Sequence, residues 1–265
     1  MQSARRIDMK KMCKSIVPPV LLLLLASTAL QAAGHITFPS EDGLPVSAEV
    51  YAPHASAAAP VIVLFHQAGA SRGEYVEIAP WLNRLGYNCL AVDQRSGGGM
   101  NGVANETAQR AEKKNLPTGY VDALPDIRAA LRYARRHYGE RGVLAWGSSY
   151  SAALVLQLAG TSPGLVDGVL AFSPGEYFRR AGKGATWIQS SARDIRVPVL
   201  IASARDEAGE WAGIFAAIES KHKVAFVPAT AGRHGSRALW SRYRDSDAYR
   251  EAVQAFLAQY FPVGR

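Results

Sequence analysis

The chain has 265 residues, 48% hydrophobic and 20% charged, with 24 glycines and two cysteines, a balance that excludes collagen-like, low-complexity and disulfide-scaffold proteins. Of the formal charge of +8, half comes from residues 1–33, where five Lys and Arg face a single Asp. The +4 left on the rest is dispersed, which argues against the clustered basic face that nucleic-acid binding requires.

The first segment reads as an address rather than as fold. A basic stretch from Arg5 to Lys14 precedes an apolar run, Ile16 to Leu30, closed by Ala32, Ala33 and Gly34. That is the order of a secretory signal peptide: charged start, apolar centre, small-residue cleavage site. The run is about fifteen residues and is broken by Pro18 and Pro19, short of the ~20 that a membrane-spanning helix needs. A cleaved signal over residues 1–33 is therefore expected, with a periplasmic or secreted domain over 34–265 and no stable membrane insertion afterwards. Cys13 would leave with the signal. Cys89, alone in the apolar run Asn88 to Val92, is expected to be a small buried hydrophobe.

Downstream, Ile36 to Tyr51 alternates around Ser40-Glu41-Asp42-Gly43, which predicts a β-hairpin. Short apolar runs follow at Val61–Phe65, Asn88–Val92, Val143–Ala145, Val166–Phe172, Val197–Ser203 and Lys223–Val227. Helical patterns separate them, near 73–85, 121–138, 151–159, 209–220 and 241–260. Strands without polar alternation, each followed by a helix, predict one α/β domain whose parallel sheet is covered on both faces. Ligands of such sheets bind beyond the carboxyl ends of the strands, so the residues just after each run carry the functional interest.

Three chemistries compete there. Gly97-Gly98-Gly99-Met100-Asn101-Gly102 satisfies G-x-G-x-x-G, with Asp122 twenty residues on. Asp93-Gln94-Arg95-Ser96 separates these glycines from the strand, and Pro117-Thr118-Gly119 precedes Asp122 where a second strand should end. A flexible loop explains the glycines better than a dinucleotide site. The six histidines show no H-E-x-x-H and no Cys/His pair at ligand spacing, so nothing supports a metal.

The third pattern is an apolar strand running into Gly147-Ser148-Ser149-Tyr150-Ser151 and then a small-residue helix. This is a nucleophile elbow, in which a strained turn lifts a serine and only small residues fit two positions either side. Ser149 meets that requirement; Ser148 does not. Such a serine needs a base and an orienting acid, in the chain order serine, acid, histidine. Asp206 follows the run Val197–Ser203 and His234 follows Lys223–Val227, with Glu176 as fallback acid. His222 precedes its strand and falls at the wrong end of the sheet. The loop His66-Gln67-Ala68-Gly69 offers backbone N–H groups for an oxyanion, Ala68 ahead of Gln67, with Tyr150 N–H as the second donor. His66 is expected to fix this loop rather than to react.

On His66-Gln67-Ala68-Gly69, Gly86-Tyr87, Asp93-Gln94-Arg95-Ser96-Gly97, the elbow, Asp206 and His234-Gly235, the chain from His35 onward resembles an α/β-hydrolase, nearest the dienelactone-hydrolase-like branch. The resemblance implies an eight-stranded, mostly parallel sheet and a Ser-His-Asp hydrolase. Two departures stand out. Dienelactone hydrolases carry a cysteine nucleophile where this chain has Ser149, and Ser151 replaces the elbow glycine. The interval between Phe172 and Val197, where this fold usually inserts a cap, is short and polar, which predicts a minimal cap. The expectation is a secreted, cofactor-independent serine hydrolase acting on small-molecule esters through an acyl-enzyme. A serine peptidase and a non-catalytic binding module on the same fold are the alternatives.

Overall fold

The structure is a computed structural model that describes residues 34–264; the expected signal segment, 1–33, lies outside the described residues. Its elements, in order, begin with β1 (Gly34–Pro39) and β2 (Pro45–Tyr51), the expected hairpin. Next come β3 (Val61–Phe65), α1 (Ile78–Arg84), β4 (Asn88–Val92), β5 (Gly99–Met100), β6 (Val103–Ala104), α2 (Glu106–Lys113) and α3 (Leu124–Tyr138). The second half holds β7 (Val143–Ser148), α4 (Tyr150–Thr161), β8 (Gly168–Phe172), α5 (Trp187–Ala192), β9 (Val199–Ala202), α6 (Ala208–Ala217), β10 (Lys223–Phe226) and α7 (Ser246–Tyr260).

Eight strands form one sheet in the order β1-β2-β4-β3-β7-β8-β9-β10. From β4 through β10 every pairing is parallel; β1–β2 and β2–β4 are antiparallel. Successive strand residues point to opposite faces, and here both faces are apolar. Val61, Val63, Ala145, Val169 and Ile201 meet α3, α4, α5 and α6 on one side. Ile62, Leu64, Trp146, Leu170 and Leu200 meet α1 and α7 on the other. Helix α4 is apolar around its whole circumference because it is enclosed: every residue from Tyr150 to Gly160 is buried.

Differences from expectation have local causes. The helical pattern at 73–85 resolves into a 3-10 turn, Arg72–Tyr75, and then α1. Ser71 caps that turn by accepting from the Gly73 amide, and Asp93 accepts from the Arg72 amide at 2.7 Å. The glycine-rich stretch is not a flexible loop. Gly99 pairs with Ala104 and Met100 with Val103 across Asn101-Gly102, whose positive φ values of 50° and 76° suit a two-residue hairpin turn. Between β8 and β9 there is no large cap. Phe178, Ile188 and Ala192 of that segment are buried in the main core against α4 and α6.

Candidate active site

The site is assembled at the carboxyl ends of β3, β7, β8, β9 and β10, which parallel pairing brings to one edge of the sheet. Ser149 occupies the turn between β7 and α4 with φ 58° and ψ −122°, an unfavourable conformation for a residue with a Cβ. The turn is possible because Gly147 has no side chain: a Cβ there would lie 2.5 Å from the Ser151 carbonyl and the Ala152 amide. The Ser149 amide donates to the Phe172 carbonyl at 2.8 Å, tying the turn to β8.

Ser148 is fully buried and both sides of its hydroxyl are engaged. It donates to Glu74 Oε1 at 2.7 Å and accepts from the Ser236 amide at 2.9 Å. Ser149 is half-buried, with the Tyr177 hydroxyl beside its own. Ser151, the departure from the elbow pattern, has a structural occupation. Its hydroxyl donates to the His66 carbonyl at 2.6 Å and receives the Gln94 side-chain Nε2 at 2.5 Å, fastening α4 to the loop after β3 and to Gln94 after β4.

His234 lies in the loop after β10, held against the elbow by its neighbours. Ser236 bonds Ser148, and a Cβ on Gly235 would come within 2.5 Å of Ser148 Oγ. The acid on His234 is not Asp206. His234 Nδ1 meets Glu207 Oε1 at 2.6 Å, whereas Asp206 is exposed and makes no hydrogen bond among the described residues. After β9 the chain makes a 3-10 turn, Arg205–Glu207, that directs Asp206 to solvent and Glu207 inward. The other oxygen of Glu207 accepts from Ser173 Oγ at 2.5 Å and from the Ala204 amide at 3.3 Å. Burial alone would raise this carboxyl, but the hydrogen bonds from His234 and Ser173 and the charge of His234 outweigh it and hold the group below its ordinary range. Ser173 also receives the Gly235 amide at 2.9 Å, so one hydroxyl joins the acid to the histidine loop. The fallback acid, Glu176, is occupied elsewhere: it accepts from the Ile188 and Gln189 amides and caps α5.

Two backbone amides are available for an oxyanion. Among the described residues neither Ala68 N–H nor Tyr150 N–H donates to a protein group, and Tyr150 opens α4, where the helix dipole adds positive potential. Gln67 N–H is committed to Glu74 Oε2 at 2.8 Å. His66 is fully buried; its Nε2 accepts from the Gln94 amide at 3.0 Å and its Nδ1 faces the Gln67 carbonyl at 2.8 Å. That pairing fixes one neutral tautomer, and burial pushes its pKa down. Tyr177, which the sequence did not single out, places its hydroxyl beside Ser149 while donating to the Ser173 carbonyl at 2.8 Å. No cluster of three or more His, Cys, Asp or Glu among the described residues is disposed to hold a metal ion.

A parallel sheet with a strained serine after its central strand and a histidine–carboxylate pair on the loops of its later strands defines the α/β-hydrolase fold. The family model described as serine aminopeptidase, S33, matches residues 56–181. Among solved structures, an esterase of Pyrococcus furiosus superposes with TM-score 0.66 at 16% identity, covering 86% of this chain and 93% of that one. The dienelactone hydrolase of Anabaena variabilis gives 0.65 at 12%, covering 86% and 98%. An acetyl xylan esterase from Paenibacillus sp. R4 gives 0.64 at 18%, covering 85% and 83%. No curated protein matches the chain significantly in sequence. The chain has the α/β-hydrolase fold.

Proposed function

We propose that the protein is a serine hydrolase that cleaves small carboxylic esters through an acyl-enzyme. The observation that carries this is the joint presence of Ser149 at φ 58° and the 2.6 Å contact between His234 and Glu207 on adjoining loops. In this scheme Ser149 Oγ attacks the ester carbonyl carbon while His234 Nε2 takes the hydroxyl proton. Glu207 holds Nδ1–H and stabilises the imidazolium that results. The Ala68 and Tyr150 amides receive the oxyanion, a contribution of which one donor is worth ~10²–10³ in turnover. The alcohol leaves with the proton from His234, and water, deprotonated by the same imidazole, releases the acid.

Several of the superposed structures bear the name esterase, which supports an ester substrate. The family model's description, serine aminopeptidase, favours a second reading in which the leaving group is an amine. Matched ester and amide substrates separate the two. Ester turnover far above amide turnover, lost in Ser149→Ala, supports the esterase; the reverse ranking replaces it with a peptidase. A protein that hydrolyses neither, and takes no fluorophosphonate label, is a binding module.

Export is part of the proposal, on the charge and hydropathy pattern of residues 1–33. N-terminal sequencing of protein recovered outside the cytoplasm should begin near His35; exported material that retains Met1 contradicts it.

A further inference from the structure

Beneath the elbow lies a carboxyl group for which the scheme above has no use. Glu74, in the 3-10 turn after the β3 loop, is fully buried and has no ion-pair partner within 4 Å among the described residues. Burying a carboxylate is costly unless several donors converge on it, and each donor here belongs to a different wall of the site. Oε2 accepts the Gln67 amide at 2.8 Å, one residue before the oxyanion donor Ala68. Oε1 accepts Ser148 Oγ at 2.7 Å, one residue before the nucleophile. Ser148 Oγ in turn accepts the Ser236 amide at 2.9 Å, two residues after the base. The backbone of Glu74 is itself anchored, its carbonyl receiving the Trp240 indole N–H at 2.9 Å.

We infer that Glu74 is a positioning residue: its carboxylate clamps the oxyanion loop, the elbow and the histidine loop into one register. It touches no reacting atom. Its effect is carried by Gln67 and Ser148 directly and by Ser236 through Ser148. The inference about its catalytic consequence rests on the hydrolase reading; the clamp itself does not.

The clamp requires the ionised form. A proton on Oε2 would oppose the Gln67 N–H. A proton on Oε1 would point at Ser148 Oγ, which already accepts from Ser236 and would have to turn its own hydrogen elsewhere. Burial raises the Glu74 carboxyl to about 7, against the opposing pull of the Gln67 and Ser148 bonds and of the charges on Arg237 and His234. Those two side chains are the charged groups facing it from the histidine loop. The ends of β3 and β7 contribute only the uncharged Gln67 and Ser148, and its neighbour Tyr75 is held neutral by burial. Loosening of the clamp is therefore expected as pH falls through neutrality.

Glu74→Gln tests this, because the isosteric amide can accept from Ser148 or from Gln67 but not from both. Hydrogen exchange on the full mature chain reads the clamp without reference to activity. Whichever arm the amide oxygen gives up, the Gln67 amide or, through Ser148, the Ser236 amide should exchange about tenfold faster or more, the weight of a hydrogen bond to a charged group. Ser148→Ala, which removes one arm, should free Ser236 and leave Gln67 protected. In the esterase assay Glu74→Gln should lower kcat by about tenfold or more at little change in KM, as small misplacements of reacting groups do. The acid limb of its pH profile should become less steep. Unchanged exchange at Gln67 and Ser236 overturns the clamp whatever the activity. Faster exchange with unchanged kcat and an unchanged acid limb overturns its catalytic consequence. If the wild type shows the expected exchange but no hydrolysis, the hydrolase reading fails and the clamp stands.

Discussion

Replacing Glu207 by Gln should damage the reaction more than removing its charge alone would. The carboxylate accepts on both sides: from His234 Nδ1 at one oxygen, and from the Ser173 hydroxyl and Ala204 amide at the other. Gln has one oxygen to offer. Two donors converge on the Ser173 side, and the Ser173 hydroxyl is oriented by accepting from Gly235, so the amide oxygen belongs there. The NH₂ group then faces His234 Nδ1 and forces the imidazole proton onto Nε2, the atom that acts as base in the proposed scheme. The equivalent acid-to-amide change in serine proteases costs about 10⁴ in turnover, which is ~5.5 kcal/mol at 1.36 kcal/mol per decade. Asp206, exposed and without a hydrogen bond among the described residues, should tolerate Asn with less than about a twofold change, as surface substitutions usually do. Steady-state ester hydrolysis by Glu207→Gln and Asp206→Asn, each checked for an unchanged Tm, decides the matter. A large loss in Asp206→Asn with a mild one in Glu207→Gln would refute the assignment.

Turnover on a p-nitrophenyl ester series should peak at short acyl chains. Phe178, Ile188, Ala192 and Ile195 of the segment after β8 lie in the main core and Trp187 packs against it, so each added methylene forgoes the ~0.8 kcal/mol that burial would return. A maximum at long chains would contradict this. Stability should also carry the signature of Glu74. A carboxyl raised from 4.5 to about 7 on folding adds stability below about pH 4.5 and loses it as pH rises through 7, worth about 3 kcal/mol over the range. Thermal scans from pH 5 to 8 should show wild type losing Tm more steeply than Glu74→Gln. Parallel curves would mean that Glu74 does not change its proton on unfolding.

Much of the sheet was legible because parallel strands buried on both faces appear as uninterrupted apolar runs, and five such runs became β3, β4, β7, β8 and β9, the sixth becoming the less buried edge strand β10. The elbow was legible for a steric reason, since Gly147 is the residue that the turn cannot do without. Helix α2 was missed because its buried face is only Thr107, Ala108 and Ala111, too small for a hydrophobic period. Asn105, which caps it by accepting from the Ala108 amide, was the available signal. Helix α5 was beyond local reading: its cap, Glu176, lies twelve residues from the amide it accepts. The acid was misassigned by one residue. Asp206 and Glu207 are both carboxylates after the same strand, and only the phase of a three-residue turn decides which one faces His234. Glu74 gave no signal because its partners, Gln67 and Ser148, meet it only through the tertiary fold.

In the proposed scheme Ser149, and not its neighbour, becomes covalently bonded to substrate. Peptide mapping by mass spectrometry after reaction with a fluorophosphonate tests it most directly, on wild type, Ser148→Ala and Ser149→Ala in parallel. One adduct, on Ser149, is expected in wild type and in Ser148→Ala, and none in Ser149→Ala. An adduct on Ser148, or no adduct on folded wild-type protein, would contradict it.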